Sequence, residues 1–461
     1  MKFVSIIVSI AALIFTGLPV PAMAQGLEQP ADKLVLGFYT VYYSGDRASY
    51  ESLAANGSYM NDISVKTFTV DSLGNVHGST PADAVSYARS NGIGAFAAVT
   101  NEYNEAFDPN IAHSILVDTV LRQKVIDQLV TMAVKNGYSG INLDFENMFA
   151  ADRGLYSRFV KELTDALHAK GLKLIVSVMA KTADCADCEW SGTIDYASLG
   201  QHADYVQIMT YEQHGAWGAP GPVAGADWVE SVLKYATSLI PAGKILIGLP
   251  AYGYDWNVTT GTGHKPVAWK YMPKLLAAVN AVPKWDAASQ SPYFSYTAGD
   301  GAEHTVWYEN AKSIAAKTAL VNKYAIAGAA AWCLRLEDAG FWQAVRRGLQ
   351  TRATASAPAT DALFTSVLTN KPSFTGDDIV YMSVKVKDAN QRPVAGAIAN
   401  MIHTNPNGKV TVYSGTTDAN GKALFIGFTS GRTIKGTYNI SVNVTHPQYN
   451  GRTGAAAYEV K

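Results

Sequence analysis

The sequence predicts an α/β protein built on a (β/α)8 TIM barrel, with a small α+β insertion between strands 7 and 8 and a C-terminal β-sandwich. Three observations carry this. Eight short apolar runs, at residues 33–40, 63–70, 93–100, 140–145, 174–179, 205–211, 245–250 and 326–332, alternate with amphipathic stretches. The gap between the seventh and eighth runs is long, with a helical stretch at 269–279 and strand-like runs near 293–296 and 304–307. An insertion is therefore expected at 261–307, standing on the barrel rim. After residue 378 short alternating strands recur at regular turn spacing, the pattern of a sandwich.

The elements follow in chain order. Residues 1–24 read as a signal peptide: Lys2 gives the positive start, an apolar run follows, and Ala22-Met23-Ala24 is a cleavage site. That run is short for a membrane span. The mature protein is expected to begin near Gln25 as a secreted or cell-wall protein, a monomer with no membrane partner. The barrel is expected over 25–350. Thr80-Pro81 supplies an N-cap and a proline at the first helical position, and Gly92 closes that helix. Residues 118–136 place Leu121, Val125, Leu129 and Met132 at helical spacing and end at Gly137. Residues 351–377, rich in Ala, Thr, Ser and Pro, read as a linker. In 378–461, turns are expected at Asp388-Ala389-Asn390, Asn405-Pro406-Asn407-Gly408 and Asp418-Ala419-Asn420-Gly421.

A chain of 461 residues exceeds one ordinary core, so at least two domains are expected. A formal net charge of −1 leaves no electrostatic footprint for nucleic acid or an anionic membrane. The 25 Tyr and 9 Trp offer faces on which sugars stack. Of three cysteines, Cys185 and Cys188 form a C-x-x-C, read first as a local disulfide of an exported protein and second as a free or metal-binding pair. Cys333 lies in an apolar run as a buried thiol.

The most informative stretch is Gly140-Ile141-Asn142-Leu143-Asp144-Phe145-Glu146. Period two puts Asn142, Asp144 and Glu146 on one strand face and Ile141, Leu143 and Phe145 on the other. In a barrel the polar set points inward, where polar side chains are costly unless used. Glu146 falls at the C-terminal end of the strand, where barrel active sites lie. Asp144 is one pleat away, roughly 6–7 Å along the strand. Two carboxyls that close cannot both ionise easily, so one pKa is expected to rise, as a general acid requires.

This stretch resembles the D-G-x-D-x-D-x-E signature of family 18 glycoside hydrolases, the chitinase family, with Ser139 and Asn142 in place of its first two aspartates. Met209-Thr210-Tyr211-Glu212 resembles the family's M-T-Y-D. Gly248-Leu249-Pro250-Ala251-Tyr252-Gly253-Tyr254-Asp255-Trp256 resembles its G-x-P-x-Y-G segment, and Trp332 ends the eighth run where the family keeps a tryptophan. N-x-D-x-E, M-T-Y-E and G-Y-D-W together resemble the spore-cortex and cell-wall N-acetylglucosaminidase branch. The stretch from Thr417 to Ala423 is similar to bacterial immunoglobulin-like surface modules.

The resemblance implies a retaining hydrolase of N-acetylglucosamine glycans, peptidoglycan before chitin, acting through an oxazolinium ion. Glu146 would be the acid, Asp144 would stabilise the acetamido group and Tyr211 would orient it. Trp332 would floor the sugar. Asn142, Glu212, Met209, Tyr39, Tyr252 and Trp256 are further substrate-site candidates. No metal or organic cofactor is required. A chitinase, a silent glycan-binding protein and a surface adhesin remain as alternatives.

Overall fold

A computed structural model of the protein describes residues 33–350, 363–388, 391–446 and 449–461. The expected signal peptide and the first part of the expected linker lie outside the described residues. The chain divides into two compact units, residues up to 353 and from 354 onward.

The first unit is a closed barrel. Its strands are β1 (Leu34–Thr40), β2 (Asp62–Val70), β3 (Gly94–Thr100), β4 (Gly140–Asp144), β5 (Lys173–Met179), β6 (Tyr205–Met209), β7 (Ile245–Pro250) and β8 (Gly328–Trp332). Each pairs in parallel with its neighbours, and β8 pairs back with β1 to close the ring. The eight strands match the eight apolar runs to within a few residues. Parallel strands buried on both faces need apolar runs rather than strict alternation, which is why those runs stood out. On β4 the parity holds: Ile141, Leu143 and Phe145 are fully buried in the same cluster as Phe159, Val160 and Leu163 of the helix Arg153–His168. Leu36, Phe38, Phe96, Ile175, Leu246, Ala330 and the thiol of Cys333 form a separate cluster with Trp332 packed against it.

The helix Thr119–Asn136 starts and stops where the sequence indicates. Asp118 is its N-cap, accepting from the amides of Val120 and Leu121, and Gly137 ends it in the left-handed region. The helix Ala82–Ser90 differs in one detail. Pro81 occupies the cap position without a side-chain bond. The Thr80 hydroxyl instead accepts from the phenol of Tyr138, 3.2 Å away.

The insertion begins earlier than expected. Tyr252–Asn257, directly after β7, is already a strand of a five-stranded antiparallel sheet with Lys265–Ala268, Lys284–Asp286, Ser291–Thr297 and Glu303–Trp307. The helix Met272–Ala278 packs Met272 on Phe294, Val306 and Tyr308. Only Ala251 separates Tyr252–Asn257 from β7, so the insertion starts with almost no connecting loop.

The second unit is all-β, with a three-stranded and a five-stranded sheet around a core that includes Met382, Val384, Met401 and Val442. Here the expected linker is corrected. Phe364–Thr369 is a strand paired with Ile379–Lys387, and Ser373–Phe374 pairs with the last strand. Thr365 and Thr369 are half-buried and Ser366 exposed in a strand whose one buried residue is Val367, so composition alone misassigns it.

The Asp118 cap yields a direct test. Asp118→Ala is expected to cost about 1 kcal/mol, seen as a lower Tm with unchanged cooperativity. A Tm equal to that of the parent would show the cap carries no stability.

Candidate active site

A cavity of about 770 Å³ opens at the C-terminal ends of the strands. Its wall includes Asp144, Glu146, Met209, Tyr211, Glu212, Tyr252 and Trp332, brought together from strands far apart in sequence. Seven of the expected site residues thus converge on one space.

Glu146 lies one pleat beyond the end of β4, and its position depends on Asn101. The Asn101 amide donates to the Glu146 carbonyl at 2.9 Å and its oxygen accepts from the Glu146 N–H at 2.9 Å. Asn101 is itself fully buried after β3. Asn147 then turns left-handed, with φ 50°, so the chain leaves the barrel directly after the acid. A backbone held on both sides leaves the carboxyl few directions in which to point.

The electrostatics favour a protonated acid. Burial raises the pKa of Asp144 to about 6; the Lys66 ammonium opposes the shift and Glu102 adds to it. Burial also raises Glu146 well above the usual carboxylate range, with Asp144 and Glu102 adding repulsion. Burial is the larger cause in both, ahead of the mutual repulsion that the sequence suggests. Lys66 is itself committed, with its ammonium 2.9 and 2.7 Å from the two oxygens of Glu102. Thr100 also donates to Glu102, at 3.0 Å.

Tyr211 follows β6, and its ring packs where β7 passes closest. A Cβ on Gly248 would sit 2.6 Å from that ring, so only glycine admits it. Burial and the nearby carboxylates push the Tyr211 phenol far up, so it remains a hydrogen-bond donor. Glu212 stands in the left-handed region with φ 61°. Its carboxylate accepts from the phenols of Tyr252 and Tyr254. Trp332 meets Phe38 edge-on at 5.2 Å.

Three expected site residues do not line the cavity. Asn142 is fully buried, donating to Ser64 at 2.9 Å and accepting from Ser177 at 3.0 Å. Both its amide atoms are occupied within the barrel. Tyr39 is buried in the main apolar core, because it alternates with Phe38 and so takes the opposite face of β1. Trp256 is fully buried and donates to the Gly215 carbonyl at 3.2 Å; on its strand only Tyr252 and Tyr254 reach the cavity.

The sequence reading passed over Lys66, Asn101, Glu102, Tyr254, Trp190, Trp217 and Trp228. Lys66 had a signal: it shares parity with Ser64 on β2, a polar residue aimed into a barrel. Asn101 and Glu102 sit just past β3, at the same end of the barrel as Glu146. Trp190 and Trp217 lie in loops with no periodicity to read, and Trp228 sits in the first turn of the helix Ala226–Thr237. Cys185 and Cys188 are joined as a disulfide in the loop after β5. Among the described residues no group of three or more His, Cys, Asp and Glu side chains is placed to hold a metal ion.

A carboxyl whose folded pKa is raised binds its proton more tightly folded than unfolded, so its ionisation opposes folding. For Glu146 the penalty is absent below the unfolded pKa and complete above the raised folded one. Glu146→Gln is therefore expected to raise Tm at pH 8, with the gain vanishing near pH 4. Equal Tm differences at both pH values would show that the carboxyl is not perturbed.

This geometry agrees with what the chain is similar to. A family model described as glycosyl hydrolases family 18 matches residues 104–337. An uncharacterised glycosylase of Bacillus subtilis, YvbX, is 39% identical over 315 residues, covering 68% of this chain and 91% of its own. The cortical fragment-lytic enzyme of Bacillus subtilis is 32% identical over 248 residues, which are 53% of this chain and 57% of that protein. The crystal structure of a chitinase from Chromobacterium violaceum superposes with a TM-score of 0.66 at 40% identity, over 69% of this chain and all of that one. With its buried acid at the mouth of a closed barrel, the chain belongs to the family 18 glycosyl hydrolases.

Proposed function

We propose that this glycosidase is an exported, retaining hydrolase of β-1,4-linked N-acetylglucosamine glycans, with peptidoglycan of the wall or spore cortex as first substrate. One observation carries the chemistry: the state of the four carboxylates in the cavity wall. Glu102 is ion-paired with Lys66, and Glu212 is held by two phenols. Asp144 and Glu146 remain, on one face of one strand. Neither is placed to attack the anomeric carbon from the side opposite the acid.

Most retaining glycosidases supply a carboxylate nucleophile; family 18 is an exception in which the substrate assists. In this reading the 2-acetamido oxygen attacks and forms an oxazolinium ion. Glu146 protonates the leaving oxygen and then deprotonates a water. Asp144 holds the acetamido N–H and offsets the positive charge, and the neutral Tyr211 phenol donates to the acetamido oxygen. Both interactions are strongest in the charged intermediate, where they lower the barrier. Trp332 carries the sugar.

The likeness to a cortical fragment-lytic enzyme supports peptidoglycan. Chitin is the second reading, supported by the 40% identity to a chitinase across its whole length. The Ala22-Met23-Ala24 site and the disulfide support export.

Digests of peptidoglycan and chitin oligomers, with new reducing ends identified by mass spectrometry, distinguish the substrates. Proton NMR is expected to show a first-formed anomer of retained configuration, and no cleavage of the de-N-acetylated twin. An inverted anomer, or equal rates on both, refutes substrate assistance. Asn101→Ala is expected to lower kcat about 100-fold with a smaller change in KM, because it frees the backbone that aims the acid. A kcat near that of the parent would show that Glu146 needs no such hold.

A further inference from the structure

Between Met179 at the end of β5 and the helix Tyr196–His202 the chain has no regular secondary structure, yet it is tied at many points. Long ordered loops of this kind are frequently functional. The Cys185–Cys188 bond closes one turn, the Cys188 N–H donates to the Cys185 carbonyl at 3.3 Å and the Gly192 N–H to the Cys188 carbonyl at 2.8 Å. Gly192 permits this: a Cβ there would lie 2.5 Å from the Ala186 oxygen and 2.6 Å from the Cys188 oxygen.

Two cations hold the next anchor. The Asp184 carboxylate accepts from the Lys181 ammonium at 2.6 Å and from both terminal nitrogens of Arg153 at 3.1 and 3.0 Å. Lys181 is itself buried and also donates to the Ile194 carbonyl at 2.8 Å. The hydroxyl of Thr193 donates to the carbonyls of Met148 and Phe149, at 3.2 and 2.9 Å. The loop is thereby fastened to the segment that follows the acid.

Within this framework stands Trp190. It lines the cavity, yet its side chain is 52% exposed. An indole left half open by a loop so firmly anchored is a preorganised apolar face, and ordering a face in advance spares its entropy cost on binding. Carried on the loop after β5 and not on the strand ends that hold Asp144, Glu146 and Tyr211, it suits a sugar unit other than the one being cut.

We propose that Trp190 is a stacking platform for a distal sugar, and that the Cys185–Cys188 disulfide with the Asp184 clamp holds it in place. The proposal rests on the glycan-hydrolase reading above. It adds redox sensitivity to substrate length. A dithiol reductant delivers two electrons and two protons to the S–S bond, leaving two thiols, and closes to its own cyclic disulfide. The turn beneath Trp190 then loses its covalent tie while the Asp184 clamp persists.

The test compares the N-acetylglucosamine hexamer with a chromogenic dimer on the full-length protein. Trp190→Ala is expected to raise KM for the hexamer about tenfold, more than it changes kcat, and Trp190→Phe to recover most of that loss. Dithiothreitol is expected to raise the hexamer KM of the parent about threefold and to leave the dimer unaffected. It has no such effect on Cys185→Ser/Cys188→Ser, whose hexamer KM is already raised. Equal KM changes on hexamer and dimer, or none on either, overturn the platform. A hexamer KM indifferent to reduction overturns the role of the disulfide. Turnover of neither compound by the parent speaks against chitin as the substrate and leaves the platform to be read by binding. Calorimetric titration of Glu146→Gln with the hexamer then reads the platform directly, and an affinity unaltered by adding Trp190→Ala overturns it.

Discussion

An ionised carboxyl inside a ring of apolar strands is costly, and the other features of the cleft answer to that cost. Asp144 is 4% exposed and shares its space with a second acid. The protein spends its hydrogen-bonding capacity around the pair and not on it. Asn101 grips the Glu146 backbone, Lys66 is neutralised by Glu102, and Glu212 is satisfied by two phenols. A strong ion pair to Glu146 would fix it as a carboxylate and remove the proton it must donate. Among the described residues no such pair to Glu146 forms, which keeps the acid competent.

The same economy extends below the cavity. The barrel interior beneath Asp144 contains Asn142, hydrogen-bonded to Ser64 of β2 and to Ser177 of β5. An amide is neutral and can donate and accept at once, so it satisfies two hydroxyls without adding charge. A carboxylate there would have placed a third negative group under the two in the cleft. The charge of the site is thereby confined to the mouth, where substrate arrives.

The barrel was legible because its signals are local. The eight apolar runs follow from strands buried on both faces, the parity of Asn142, Asp144 and Glu146 from a repeat of two residues, and neither needs knowledge of neighbours. Tyr211, Glu212, Tyr252 and Trp332 were legible through motif likeness, and all four reach the cavity. The failures have a common cause. Tyr39 and Trp256 were chosen by residue type near strand ends, and only the three-dimensional packing decides which way an aromatic turns. Asn101 was invisible because its role is to bond the backbone of a residue on the adjacent strand. The strand Phe364–Thr369 was hidden by its small polar residues, and its pairing partner, not its composition, makes it a strand.

Glu212 depends on tyrosines that belong to the inserted sheet, while Glu212 itself closes β6. The wall of the cleft and the insertion are thus one inheritable unit. A recombination that exchanged the insertion alone would strand a half-buried carboxylate with neither of its phenols. Changes in the insertion's far strands and turns leave that contact intact, whereas a graft that respects the architecture must begin at Tyr252 and carry Tyr254 with it.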